Sequence, residues 1–140
     1  MNNEVKDTVI RMEKQINKYD LEERLILFAV SVIEIVEEMP NSRAANHLAG
    51  QLLRSGTSPA LNYGEAQGSE SRKDFIHKMK IALKELRETN VCLKIIYRTK
   101  NFKSKEKIEA ALAETNELLS IFVKSVKTAL KNNSKEQAYN

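Results

Sequence analysis

Apolar side chains recur at three- and four-residue steps along most of this chain, the spacing that collects one buried face of an α-helix. The first such stripe is Leu21, Leu25, Phe28, Val32, Ile35 and Met39. Asp20 is placed to cap it, with Glu22 and Glu23 in the opening turn, where the helix dipole favours negative charge. A second row on the same helix, Ile26, Val30 and Ile33, leaves it apolar around most of its circumference. One bundle core cannot cover both rows. The second row is expected to meet another subunit, or residues 4–18 folded back as a short amphipathic helix.

Pro40-Asn41 breaks the chain, and Asn41 or Ser42 caps the next helix, which runs to about Gly68. Its inward stripe is Ala45, Leu48, Leu52, Ser55, Pro59, Asn62 and Ala66, mostly small residues that let a neighbouring helix approach closely. Pro59 has no amide hydrogen and is expected to bend this helix near Ser55; two shorter helices broken between Ser55 and Pro59 are the competing reading. Ser69 or Ser71 starts the third helix, with Phe75, Met79, Ala82, Leu86, Thr89, Leu93 and Tyr97 inward. A turn over Lys100 to Ser104 leads to a fourth stripe of Ile108, Leu112, Thr115, Leu119, Phe122, Val126 and Ala129. Short links force alternate directions. The pattern predicts an all-α, antiparallel up-down-up-down four-helix bundle over residues 20–131. A short helical N-terminal extension over 1–19 and a frayed polar tail over 132–140 flank it.

Composition narrows the function classes. Trp is absent and aromatics make up 6% of residues, thin for a protein that reads nucleic acid by stacking. The single cysteine, Cys92, permits no internal disulfide and excludes a Cys-rich zinc site, which fits a reducing cytoplasm. The N-terminus has neither the basic start nor the apolar stretch of a signal peptide. The most apolar run, Leu25 to Val36, is interrupted by Ser31 and Glu34 and is shorter than the ~20 residues of a membrane helix. A cytoplasmic protein without membrane attachment is expected.

Charge is distributed unevenly. Residues 1–71 hold 7 Lys/Arg against 11 Asp/Glu, residues 72–107 hold 12 against 4, and residues 108–140 hold 4 against 4. Lys80, Lys84, Arg87, Lys94 and Arg98 are spaced to share the outer side of the third helix, with Lys103 and Lys105 in the loop that follows. Such a patch suits phosphate-backbone contact without base reading, and also suits a solvated helix face.

The third helix carries a second row, Ile81, Glu85, Glu88, Cys92 and Ile95, with two carboxylates in an otherwise apolar series. Buried carboxylates need partners. Centring the preceding turn near Ser69 sets Arg54 level with Lys84 and Glu85, Glu65 with Lys73, and Asn62 with Ile76 and His77. Arg54 is therefore expected to bridge Glu85, with Glu88 one turn away, in a largely buried polar layer; solvent-facing carboxylates are the alternative.

No catalytic constellation stands out. His47 and His77 are the only histidines, and neither completes the Glu-x-x-His pairs of a bundle di-iron site. Glu85-x-x-Glu88 alone is a weak metal signal, and Cys92 on an apolar row reads as packing. The glycines at 50, 56, 64 and 68 follow no strand and lack a Gly-Lys-Ser/Thr ending, so close helix packing explains them better than a phosphate loop. No enzyme activity, metal or cofactor is expected.

The stretch Gln51-Leu52-Leu53-Arg54-Ser55-Gly56-Thr57-Ser58, followed by Asn62-Tyr63-Gly64-Glu65-Ala66, resembles the second-helix signature of the four-helix-bundle proteins related to the 23S rRNA intervening-sequence protein. Asp74-Phe75-Ile76-His77-Lys78 and Ala82-Leu83-Lys84-Glu85-Leu86-Arg87-Glu88-Thr89 resemble that family's third helix. The resemblance covers roughly residues 20–130 and implies a bundle assembling into a ring, commonly a pentamer. The family's first members are encoded within insertions in bacterial 23S rRNA genes. The accessory protein of diversity-generating retroelements is similar in fold and pairs a basic surface with nucleic acid and reverse transcriptase. Signature positions map onto Arg54, Asn62, Glu65, Glu85 and Glu88. Two departures stand out: relatives often carry a bulkier aliphatic pair at Tyr63-Gly64, and an aromatic near Val91-Cys92.

Together these observations lead to a non-enzymatic homo-oligomer. It meets copies of itself through Ile26, Val30 and Ile33 and binds structured RNA or DNA through the basic third helix. A protein-interaction scaffold, docking a protein partner and no nucleic acid, is the alternative.

Overall fold

The first three helix starts are each set by a side chain that accepts an otherwise orphaned backbone N–H. Asn2 accepts from the amide of Val5 at 2.9 Å and opens α1, Asn3–Glu38. Ser42 accepts from Ala45 at 3.1 Å and opens α2, Arg43–Gln67. Ser71 accepts from Asp74 at 3.1 Å and opens α3, Arg72–Arg98. The last helix, α4, is Lys105–Tyr139. The computed structural model describes residues 2–99 and 102–139, with side chains except at residues 9–20 and 136–139.

Helix ends differ from expectation at two places. Asp20 lies inside α1, because Asn2 supplies a cap further upstream and the backbone stays helical through the expected start. Residues 3–19 are thus continuous with the first bundle helix. At the other terminus α4 continues beyond Lys131 to Tyr139. The expected turn over Lys100 to Ser104 lies partly outside the described residues, at Lys100 and Asn101; Phe102, just after, is buried. Pro59 sits within a single α2, and the two-helix reading of that segment does not apply.

Direction follows from the cross-helix pairs. Near the α2–α3 turn Glu65 pairs with Lys78; further away Arg54 pairs with Glu85, and the Cys92 thiol donates to the Leu48 carbonyl at 3.7 Å. One partner's number falls as the other's rises, so the helices are antiparallel. Arg24 with Glu114 and Glu117, then Glu38 with Lys107, trace the same relation between α1 and α4. Each helix packs on its chain neighbours and α1 closes on α4, giving the up-down-up-down bundle.

The core is built from the predicted stripes. Leu25, Phe28, Val32 and Ile35 of α1 meet Leu52 and Ala66 of α2, Met79, Ala82, Leu86 and Leu93 of α3, and Ile108 and Phe122 of α4. On α4 the buried face is rotated by one position, with Ala111 and Leu118 inside and Leu112 and Leu119 at the margin. Tyr63 is buried, and its ring stands edge-on to Phe122 across the core, with centroids 6.2 Å apart. A Cβ at Gly56 would lie 2.7 Å from Val32 Cγ2, so this glycine lets α1 and α2 close together. Among the described residues, no helix is long and apolar enough to cross a membrane.

Candidate nucleic-acid interface

The amphipathic pattern of α3 buries Met79, Leu86 and Leu93 and turns its opposite side to solvent. At about 100° per residue, Lys80, Lys84, Arg87, Lys94 and Arg98 fall within an arc of roughly 80°. All five are exposed, and their strip is about 27 Å long at 1.5 Å per residue. None forms an ion pair with another described residue. Lys103 and Lys105 are also exposed, at the far end of the strip. There Lys105 Nζ lies 5.1 Å from the centre of the Tyr97 ring, and the Tyr97 hydroxyl donates to Glu109 at 2.9 Å. That hydrogen bond raises the Tyr97 pKa.

The carboxylates of α3 lie on the neighbouring side, toward α2, and are occupied. Arg54 Nη1 donates to Glu85 Oε2 at 2.9 Å, and its Nη2 donates to Glu88 and, at 3.2 Å, to Gln51 Oε1. The expectation of a largely buried layer needs correction. Arg54 is 52% exposed, Glu85 14% and Glu88 38%. The long arginine side chain carries its guanidinium to the rim of the α2–α3 seam, where water reaches it. The hydrogen bond from Arg54 holds the Glu88 carboxyl below its ordinary range, and the same bond raises the Arg54 pKa. The remaining members are separate. Asn62 donates to the Ser58 hydroxyl at 2.8 Å and the Ser58 carbonyl at 3.0 Å, while Glu65 pairs with Lys78 instead of Lys73.

The fully buried polar contact lies one step inward, where Ser55 and Thr89 share a hydrogen bond of 2.9 Å. Both positions were legible as inward-facing, but not as partners of each other. Cys92 is buried, and burial pushes its thiol pKa up, which suits packing and disfavours a nucleophile. No cluster of three or more His, Cys, Asp or Glu that could hold a metal is present among the described residues.

Beside the basic strip, α4 forms the other wall of a groove of about 560 Å³ lined by Arg87, Leu119, Ser120, Val123, Lys124, Lys127 and Thr128. The two α4 lysines were absent from the sequence-based site, because residues 108–140 balance in charge. The balance hides a segregation. Glu109, Glu114 and Glu117 precede Lys124, Lys127, Lys131 and Lys135, and the segment 118–135 contains no carboxylate.

With this bundle and its signature residues in place, the sequence profile of the 23S rRNA-intervening sequence proteins matches residues 17–124. The chain belongs to the 23S rRNA-intervening sequence protein family. Among solved structures, it is similar to a Bacteroides thetaiotaomicron protein from the S23 ribosomal protein family, described as having unknown function. The two are 32% identical, with a TM-score of 0.69 over 76% of this chain and 97% of the other. No curated protein matches. The family's matched segment stops at residue 124, so Lys127, Lys131 and Lys135 lie beyond it.

The α1 row Ile26, Val30 and Ile33 remains open to solvent in the single subunit, at 44%, 44% and 41% exposure. Leu53 of α2 is also exposed. It lies one helical turn before Gly56, which packs on Val32, the neighbour of Ile33 in sequence. The Ile26, Val30 and Ile33 row and Leu53 thus lie on α1 and α2, while the cationic strip of α3, on the other side of the bundle, carries exposed apolar residues of its own at Val91 and Ile95.

Proposed function

We propose that this protein is a non-enzymatic, self-associating bundle that binds structured RNA or DNA through phosphate contacts from α3. The observation that carries this reading is the strip of Lys80, Lys84, Arg87, Lys94 and Arg98, exposed along one side of α3 with none of the five in a direct ion pair among the described residues. Lysine and arginine at helical spacing neutralise successive phosphates and release counterions without reading bases. The family's name, which refers to sequences intervening in 23S rRNA, supports RNA as the first ligand to try. Self-association rests on Ile26, Val30 and Ile33, a contiguous apolar row of the kind monomers seldom leave uncovered.

The test is binding of the purified protein to a structured RNA and to a duplex DNA across a salt series. A linear fall of log affinity with log salt would count the phosphates engaged, at about 0.9 per contact on a duplex. Reversing Lys80, Lys84 and Arg87 to Glu should abolish that binding with the helical fold intact. No binding even at low salt would retire the reading.

A scaffold that docks a protein partner is the second reading, favoured by Val91 and Ile95, exposed apolar side chains on or beside the same strip. It predicts no nucleic-acid binding at any salt, and loss of partner capture on Val91→Glu/Ile95→Glu.

A further inference from the structure

We infer that the nucleic-acid track is a two-helix groove, with the lysines of α4 forming its second wall and a base-paired duplex as its occupant. This rests on the phosphate-binding reading above and assigns it a location and a substrate form. Antiparallel packing sets the N-terminal half of α3 beside the C-terminal half of α4. Phase is fixed at three levels: Tyr97 reaches Glu109, Arg87 faces Leu119 to Thr128, and Phe75 shares a cavity with Thr128, Ala129 and Asn132. Consequently Lys80, Lys84 and Arg87 lie alongside the carboxylate-free segment that carries Lys124, Lys127, Lys131 and Lys135. Lys124 and Thr128 line both the Arg87 groove and the cavity at the α2–α3 turn, so the two run together. Among the described residues, Glu70 at the turn is the one carboxylate lining either.

The other half of the α3 strip has a different neighbour. Lys94 and Arg98 stand level with the start of α4, where lysines alternate with Glu106 and Glu109, Glu109 holds Tyr97 and Lys105 covers the same ring. Attraction for a polyanion is therefore concentrated at the turn-proximal end, where cations flank a groove on both sides.

Duplex form follows from what the groove offers. Single strands are held by aromatic stacking as well as by charge. Among the described side chains, Phe28, Tyr63, Phe102 and Phe122 are buried, while Phe75 and Tyr97 are half-buried. The groove walls supply cations and the hydroxyls of Ser120 and Thr128, groups suited to a phosphate backbone.

The experiment compares full-length protein with Lys124→Gln/Lys127→Gln and Lys94→Gln/Arg98→Gln, all checked for helicity and assembly state. The probes are a base-paired RNA stem, a DNA duplex of equal length and a single-stranded uridine oligomer. The α4 pair should lower the salt slope on both duplexes by about two, one for each lost phosphate contact. The Lys94/Arg98 pair, on the same α3 strip but away from the groove, should lower that slope by clearly less than the α4 pair, and the single strand should bind more weakly than either duplex. An unchanged slope in the α4 variant, with α3 reversals still effective, would overturn the two-helix groove and leave the α3 reading standing. An equal loss from the Lys94/Arg98 pair would overturn its turn-proximal position. Tighter binding of the single strand would overturn the duplex assignment. Absence of binding to all three probes would remove the phosphate-binding reading, and the groove with it.

Discussion

Ser55 and Thr89 share a hydrogen bond of 2.9 Å between fully buried hydroxyls, across the α2–α3 seam and one helical turn before Pro59. Thr89 also reaches the Glu85 carbonyl at 2.8 Å, so the pair is anchored to α3 from within. A buried hydroxyl deprived of its partner carries a desolvation penalty of about 1–3 kcal/mol. Thr89→Val should therefore destabilise the bundle by about that amount, because Ser55 is left alone. Ser55→Ala/Thr89→Val should cost less than the two single substitutions added together, since neither hydroxyl is then stranded. Urea unfolding of the four proteins completes the cycle, and strict additivity would disprove the coupling.

The glycines of α2 give opposite expectations under one substitution. At Gly56 an added methyl meets the stiff, branched Val32 side chain at 2.7 Å, and overpacking outweighs the gain in helix propensity. Gly56→Ala should destabilise by roughly 1–2 kcal/mol. Gly50 and Gly64 have nothing within 4 Å, so alanine there should stabilise by about 0.4–1 kcal/mol. Thermal melts of the three variants would test the close approach of α1 and α2.

Acid should loosen the bundle through two carboxylates. Arg54 holds the Glu88 pKa below its ordinary 4.5, and Lys107 does the same for Glu38. A carboxyl depressed in the folded state contributes stability that is complete above the unfolded pKa and is lost as pH falls through the folded value. Melting temperature should hold from neutrality to about pH 5 and decline below about 4.5. Arg54→Ala and Lys107→Ala should each flatten that decline by removing a small stabilisation present near neutrality, small because both cations are exposed, with no further loss at low pH. An undiminished acid slope in the double variant would show that other groups govern it.

Assembly should respond to the α1 row. Ile26→Glu/Val30→Glu places charge on the exposed apolar face while the core residues Leu25, Phe28 and Val32 remain unaltered. Light scattering should register a fall in molecular mass, with the helical circular dichroism spectrum retained. A wild-type protein that is monomeric at micromolar concentration would contradict the proposed interface.

The four helices were legible because their stripes are long and uninterrupted, and burial of Leu25, Phe28, Val32 and Ile35 follows the spacing closely. Depth was harder to read. Residue spacing joins Arg54 to Glu85, but it says nothing about how far a flexible arginine carries its charge toward water, and the layer proved half-exposed. Asp20 is a competent cap in a sequence sense, yet it lies within α1 because Asn2 caps the helix upstream. The α4 lysines escaped notice because carboxylates and cations cancel over residues 108–140, although residues 118–135 carry four lysines and no carboxylate. Net charge over a window reveals nothing about separation inside it.

The separation of the Ile26, Val30 and Ile33 row on α1 from the cationic strip on α3 has a consequence for binding strength. Copies joined through the first would hold several phosphate-binding grooves at fixed spacing, turning every engagement after the first into an intramolecular event at high effective concentration. Individually weak, salt-sensitive contacts then multiply into avidity for one long polyanion, and a subunit detached by dilution would lose its grip without losing a single lysine.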